Sequence, residues 1–351
     1  MINISQNIIA NVDVSMAAVL LILGVLVMTL RRKTTGSKAD TAYLLLIITV
    51  LAATLSDLYL AFFDNPEDPG PYVLLVIMET ILEISVNLIL LAWLLYVFFT
   101  MYDSMDYLRR KFLLYIVPIL VMVVFDIINV FTGWIWYFDE NMVYHETDLY
   151  MVLNLIRYAY LFISIYQYQR YKKENGHIQF FTIWPFIVPI VWGSLLEVFT
   201  PVYGFPFGAA IGITMIFIMS SQKVSFTDEE SGFYNIHYLN MLRDKIRAGE
   251  NESEPHLVIH YRLATGNDND MKDFFSQLRE ILPDFCDTVK IDDTHYITII
   301  YGNTRGLINL LSEDIEMIAD SLKLELKYDY AIKEKQEKAA DFFEKNAVIG
   351  G

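Results

Sequence analysis

Long apolar runs fill the first two thirds of the chain, and short alternating ones fill the last third. A helix needs about 20 apolar residues to cross roughly 30 Å of hydrocarbon, where no water satisfies the backbone. Seven runs are candidates: approximately Val14–Leu30, Tyr43–Phe63, Tyr72–Thr100, Phe112–Phe131, Tyr150–Tyr168, Phe180–Phe199 and Phe207–Ser221, the first and last of them short. The first has nothing basic before it, Arg31-Arg32-Lys33 after it and no A-x-A site, so it reads as a retained span rather than a cleaved signal peptide. Beyond Ser221 the period changes. The pattern predicts a helix over Ile236–Arg247 after Asn235, a polar loop Ala248–Glu254, a strand over Leu257–Leu263 and a helix over Asp270–Leu282 stopped by Pro283. A hairpin of Thr288–Ile291 and Tyr296–Tyr301 around Asp292–His295 follows, then a helix over Arg305–Ser321, a strand over Leu324–Tyr330 and a last helix over Gln336–Lys345. After its first helix this is a βαββαβ order, which predicts a ferredoxin-like antiparallel sheet with helices on one face. The expected fold is an all-α seven-helix membrane bundle followed by an α/β domain.

Charge draws the boundary at the same place. Residues 1–221 hold 11 Lys+Arg and 17 Asp+Glu, whereas the shorter stretch 222–351 holds 15 and 25. The expected division is therefore a membrane region over 1–221, a short connection over 222–227 and an acidic soluble domain over 228–351. The connection Gln222–Thr227 has no Pro or Gly, so it is free to continue the last span as a stiff helix. With 55% hydrophobic and 19% charged residues the chain is no wholly soluble enzyme, and a net charge of −16 argues against a nucleic-acid binder. The single cysteine, Cys286, permits neither an internal disulfide nor a CxxC metal site.

Basic residues orient the bundle. With the N-terminus outside, the inner connections hold Arg31, Arg32, Lys33, Lys38, Arg109, Arg110, Lys111, Arg170, Lys172 and Lys173, and the outer segments 1–13, 64–71, 132–149 and 200–206 hold no Lys or Arg. By the positive-inside rule the soluble domain then faces the cytoplasm. The outer segments carry acids instead, among them Asp64, Glu67 and Asp68. The longest, Thr132–Leu149, adds Trp134, Trp136 and Tyr137. Those aromatics read first as an interfacial belt, and the alternating stretch Trp134–Tyr144 also fits a small hairpin over the helix mouths.

Ionisable groups inside spans are costly and mark functional candidates. They are Asp57, Glu79, Glu83, Asp126, Arg157 and Glu197, accompanied by Asn87, Asn129 and Asn154, mostly toward the outer side. Glu79, Glu83 and Asn87 share one helix face by their i, i+4, i+8 spacing, and Asn154 and Arg157 share another. Helix ends reaching headgroups, with Arg157 paired for stability, is the plain reading. Polar groups from several helices at one level favour an outward-facing pocket for a small polar ligand. Five acids against one base point to a ligand carrying an amine, with Arg157 either paired to an acid or holding a carboxylate. The inner half shows no comparable polar trail, which places a small-solute transporter behind a receptor.

Directly after the last span stands Asp228-Glu229-Glu230-Ser231-Gly232-Phe233-Tyr234-Asn235-Ile236-His237-Tyr238-Leu239. This resembles the opening of GGDEF domains, D-x-L-T-G-L-x-N-R-x-x-L: Asp228, Gly232, Asn235 and Leu239 match, Ser231 and Phe233 are conservative stand-ins, and Glu230 and Ile236 depart. The element order of residues 228–350 matches that family's fold as well. The whole layout is similar to bacterial seven-helix sensory regions found ahead of histidine kinases and GGDEF domains, which implies a protein of the bacterial cytoplasmic membrane. GGDEF enzymes join two GTP molecules into cyclic dimeric GMP, using metal-holding carboxylates and a tight glycine turn. Where the family has Gly-Gly-Asp-Glu-Phe this chain has Asp292-Asp293-Thr294-His295-Tyr296, and Tyr261 and Arg262 stand where acids are expected on the first strand. The resemblance thus implies a degenerate, non-catalytic domain that acts as a homodimer or by binding a cytoplasmic protein or nucleotide; an active cyclase would need an atypical site. Asp292 and Asp293, adjacent in a turn, make a poor joint metal pair. His237, His256, His260 and His295 lack metal-ligand spacing, and Asn267-Asp268-Asn269-Asp270 lacks the distal Glu of a calcium loop. No cofactor is expected.

Overall fold

The computed structural model describes residues 4–32, 37–63, 70–102, 105–175, 180–200, 203–228, 231–249, 254–263, 273–274, 277–278, 286–301, 307–334 and 336–347. Lys33, the outer acids Asp64, Glu67 and Asp68, Glu229 and Glu230, the segment Asn267–Asp270 and most of the helix expected over Asp270–Leu282 lie outside the described residues. The chain forms two compact units: Met1–Arg170 with Phe181–Met219, and Tyr171–Phe180 with Ser220–Gly351.

The first unit is built on α1 (Ile4–Arg31), α2 (Lys38–Phe63), α3 (Tyr72–Met101), α4 (Met105–Thr132), α5 (Asp148–Asn175), α6 (Trp184–Phe199) and α7 (Phe205–Ser225), with strands β1 (Trp136–Phe138) and β2 (Tyr144–Glu146) between α4 and α5. Six of these helices are long and apolar enough to cross a membrane, which points to a membrane protein. Their outward faces carry Leu20, Leu113, Leu114, Phe131, Leu155 and Phe162, large apolar side chains left exposed in number, as lipid contact requires. The expected span Phe180–Phe199 is shorter than the sequence pattern predicts. Helix α6 has 16 residues, about 24 Å at 1.5 Å per residue. Proline sets both of its limits. Pro185 falls in the first turn, where its missing N–H costs nothing, and Thr200 is extended ahead of Pro201, as residues before proline are.

Helix α3 is the centre of this unit. It packs between α2 and α4, and Trp93 ties it to two further helices. The indole stacks on Phe186 of α6 at 4.0 Å between ring centroids, and its Nε1–H donates to Ser164 Oγ of α5 at 3.1 Å. Helix α7 is fixed to α2 by Tyr43, whose hydroxyl donates to the Ile213 carbonyl at 3.1 Å. Helices α6 and α7 meet backbone to backbone. Gly204, Gly208 and Gly212 recur every fourth residue, and a Cβ added at Gly208 would lie 2.3 Å from the Pro189 carbonyl oxygen. Small residues at this spacing let helices approach closely where lipid gives no hydrophobic drive to associate.

In the second unit α7 ends at Ser225, so the helix runs on through part of the short connection. The unit then contains α8 (Ile236–Ala248), β3 (Pro255–Leu263), β4 (Cys286–Lys290), β5 (His295–Tyr301), α9 (Leu307–Ser321), β6 (Leu326–Ile332) and α10 (Ala339–Asn346). The four strands form one antiparallel sheet in the order β4-β5-β3-β6. Helices cover both faces of it, not one as the element order predicts. Leu257, Ile259, Tyr261, Tyr296 and Ile300 pack with Leu311 and Ile315 of α9 and with Phe274 and Leu278. Val258, Val289, Ile297, Ile299 and Tyr301 pack with Leu239 and Leu242 of α8 and Phe342 and Phe343 of α10. Every residue of β5 is buried, so it has no solvent side.

The α6–α7 contact gives a direct test. Gly208→Leu in the full chain should destabilise it by about 1–3 kcal/mol through overpacking and lower its melting temperature in detergent. Gly24→Ala in α1, where an added Cβ meets nothing within 4 Å, should leave the melt unchanged or raise it slightly.

Candidate functional site

Arg157 organises the polar groups of the first unit. Its guanidinium is buried and donates from Nη2 to Glu83 Oε2, from Nε to Asn87 Oδ1 at 2.9 Å and from Nη1 to Asn154 Oδ1 at 2.8 Å. Asn87 passes the network on, its Nδ2 donating to Asp126 Oδ2 at 2.7 Å. Glu83 and Asn87 are one turn apart on α3, and Asn154 and Arg157 lie within one turn of α5, so two helix faces close on each other. Tyr150, one turn before Asn154, places its ring 5.7 Å from the Arg157 guanidinium carbon.

Beside this network lies a cavity of about 490 Å³. Glu79, Glu83, Asn154, Arg157 and Glu197 line it, together with Tyr144, Tyr150, Tyr158, Tyr203, Glu146 and Ser194. One wall is the β1–β2 hairpin. Asn129 at the end of α4 holds it by its side chain, accepting from the Ile135 N–H at 2.7 Å and donating to the Trp136 carbonyl at 2.9 Å. Trp136 is buried and Trp134 exposed, so the hairpin reading suits the first and the belt reading the second. The Tyr144 ring stacks on Trp136 at 6.2 Å, which fixes an aromatic face toward the cavity. Burial, with the Glu83 carboxylate nearby, pushes the Glu146 carboxyl above its ordinary range, and Arg157 pulls against this.

The expected site residues therefore divide. Glu79, Glu83, Asn154, Arg157 and Glu197 reach the cavity, and Asn87 and Asp126 stand behind it. Asp57 is not among the lining residues: it is buried against α1, where Ser15 Oγ donates to its Oδ2 at 2.6 Å. Glu197 Oε1 accepts the N–H of Phe205 at 2.7 Å and so caps the start of α7. Sequence reasoning missed Tyr150 and Tyr158, although Tyr150, Asn154 and Tyr158 recur every fourth residue on α5, a signal that marks one face. Tyr144, Glu146, Tyr203 and Ser194 had no such signal, since hairpin and loop geometry bring them in.

In the second unit the signature residues are engaged in local structure. Asp228 Oδ1 accepts from the N–H and the hydroxyl of Ser231, each at 2.8 Å. Gly232 has φ +72°, a conformation other residues rarely adopt. Asn235 caps α8 by accepting from the N–H groups of His237 and Tyr238. At the β4–β5 turn Asp292 Oδ1 accepts from the N–H groups of Thr294 and His295, both at 2.8 Å; burial is the largest single effect on its carboxyl and raises it, but these bonds, with that of the Thr294 hydroxyl, together outweigh it and hold the carboxyl below the usual range. Asp293 is exposed and pairs with Lys290 at 3.1 Å. His295 Nε2 lies 3.2 Å from His260 Nδ1, and burial, then His260, push its pKa down. Tyr296 is buried in the core. Elsewhere Tyr238 of α8 and Tyr301 of β5 both donate to the buried Asp287 Oδ2; burial raises that carboxyl and the two hydroxyls oppose the rise. Among the described residues no group of three or more His, Cys, Asp or Glu is placed to hold a metal ion.

No family model matches the chain, and no curated protein does. Among solved structures it is similar to the crystal structure of the FimX GGDEF domain from Pseudomonas aeruginosa, at 16% identity over 35% of this chain and 89% of that chain, with a TM-score of 0.27. A likeness at that score carries no argument by itself.

The Arg157 network predicts strong coupling. Arg157→Gln should destabilise the full chain by about 3–5 kcal/mol, because it leaves Glu83 buried without its cation. The double variant Glu83→Gln/Arg157→Gln should lose less than the two single losses combined, by about 1–3 kcal/mol, measured as denaturation midpoints in mixed micelles.

Proposed function

We propose that the chain is a signalling protein of the bacterial cytoplasmic membrane. Its residues 1–221 act as an outward-facing seven-helix sensor that holds a small polar ligand bearing an amine. Residues 228–351, joined through 222–227, act as a degenerate GGDEF-like domain in the cytoplasm. That domain works without catalysis, as a homodimer or by binding a cytoplasmic protein or nucleotide.

The cavity carries this reading. A space of about 490 Å³ falls in the range of ligand sites, roughly 300–1,000 Å³, and its wall is built from residues of five helices and a hairpin whose tryptophan, Trp136, is buried. The cytoplasmic placement draws on the Lys and Arg of the inner connections, and the GGDEF-like reading draws on the resemblance of Asp228–Leu239 to GGDEF openings. The absence of catalysis draws on Asp292, spent on its own turn, and on Asp293, exposed and paired with Lys290.

A panel of amines, amino acids, organic acids and sugars tested on the purified full chain should contain at least one compound that raises the melting temperature by mass action. The shift should vanish in Ser194→Phe, which fills the space. A chain that melts cooperatively and responds to no member of the panel would overturn the pocket. Orientation is tested separately: a reporter active only in the cytoplasm should work when fused after Gly351 and fail when fused at Met1, and equal activity at both ends would sink the sensor reading.

A further inference from the structure

The sheet of the second unit has two unlike edges. Along β4 the chain covers itself: the Tyr234 N–H donates to the Thr288 carbonyl at 2.9 Å, and the Tyr234 carbonyl accepts the N–H of Lys290 at 2.7 Å. Among the described residues no strand pairs with the outer side of β6. The Lys333 N–H donates to the His256 carbonyl of β3 at 2.8 Å. By antiparallel alternation Lys327, Asp329 and Ala331 therefore spend their backbone groups on β3, and Leu326, Tyr328, Tyr330 and Ile332 turn theirs outward. The Tyr330 N–H fits this phase, since it donates to the side chain of its own neighbour, Asp329 Oδ1, at 2.8 Å. Tyr330 and Ile332 are 49% and 53% exposed, so the open edge is also apolar, the combination that recruits another strand.

Charge selects which strand. When β6 pairs antiparallel with a second β6, outward residues must oppose outward residues, and three registers keep at least five residues of each strand opposed. Pairing about Asp329 sets the Asp329 carboxylates of the two copies against each other. Pairing about Tyr330 sets Lys327 against Lys333. Pairing about Tyr328 places Lys327 of each copy opposite Asp329 of the other, in the kind of pair whose side chains lie closest, and Leu326 opposite Tyr330. Within one chain Lys327 stands opposite Arg262 of β3, a like-charge neighbour whose repulsion an incoming carboxylate offsets.

We propose that β6 docks a second copy of this chain, antiparallel to its own β6 and centred on Tyr328, so that one sheet runs through both copies. Leu326, Tyr328 and Tyr330 of one copy exchange backbone hydrogen bonds with Tyr330, Tyr328 and Leu326 of the other. The Tyr330 N–H leaves Asp329 for the Leu326 carbonyl of the other copy, and the freed carboxylate meets Lys327. The interface rests on the homodimer reading above and supplies its surface.

The test uses full-length chains carrying a donor or an acceptor fluorescent protein after Gly351, reconstituted together in phosphatidylcholine–phosphatidylglycerol vesicles. Energy transfer is followed as lipid is added. The unaltered chains should show transfer that falls with dilution as a dimer–monomer equilibrium does. Lys327→Asp and Asp329→Lys each turn both cross-copy pairs into like charges and should weaken association about tenfold. The double variant Lys327→Asp/Asp329→Lys exchanges the charges and should return association to about that of the unaltered chain. Both side chains are exposed, so melting temperatures should stay equal; if one single variant melts early, the other carries the same comparison. Association that the single variants leave unchanged, or that the double variant fails to restore, overturns this interface and leaves a homodimer built on another surface standing. Transfer no greater than that of an unrelated membrane protein at every dilution overturns the interface and the homodimer together, and leaves the domain to a different partner.

Discussion

A guanidinium inside an apolar bundle tolerates few arrangements. Burial strips Arg157 of water, and the loss is met only when acceptors reach every nitrogen at hydrogen-bond distance. Glu83 and Asn87 come from α3 and Asn154 from α5, so the two helices are locked in rotation and in depth by one side chain. Asn87 extends the constraint to Asp126 on α4. The stack of Trp93 on Phe186 and its bond to Ser164 repeat the logic further along α3 with neutral groups. The cavity is what remains beside the locked faces once the hairpin is set across it.

The hairpin depends on that frame in turn. Asn129 sits on α4 near the network and holds the backbone of Ile135 and Trp136, so the wall carrying Tyr144 and Glu146 is tied to the same helices as the arginine. Glu197 serves two elements in the same way, closing the cavity on one side and capping α7 on the other. Polar groups that line the cavity and polar groups that hold the fold are here largely the same groups.

Much of the helical layout was legible in the apolar runs, because crossing hydrocarbon leaves the sequence little choice. Helix ends were not. Helix α1 begins at Ile4 rather than near Val14, since Ser5, Asn7 and Asn11 stop the apolar run without stopping backbone hydrogen bonding. Spacing showed that Glu79, Glu83 and Asn87 share a face and that Asn154 and Arg157 share another. It could not show that these two faces meet while Asp57 turns toward Ser15, because rotation about a helix axis is set by distant packing. In the sheet, the run Tyr296–Tyr301 carried a signal that went unused. Five apolar or aromatic residues among six, with Thr298 as the lone polar one, mark a strand covered on both sides, which is where α8, α9 and α10 lie.

Helix α6 is the outlier of the bundle. At 16 residues it is too short for a full hydrocarbon layer, and at Gly208 its backbone lies directly against that of α7, with no side chain between them to absorb a shift. A short helix fastened to a long one creates hydrophobic mismatch along a single edge. There the bilayer thins or the neighbouring side chains stretch toward the interface, each at a small cost per ångström. Ser194 and Glu197 stand on that helix. The wall of the cavity that Ser194 and Glu197 form is thus carried by the helix whose length fits a hydrocarbon layer least well.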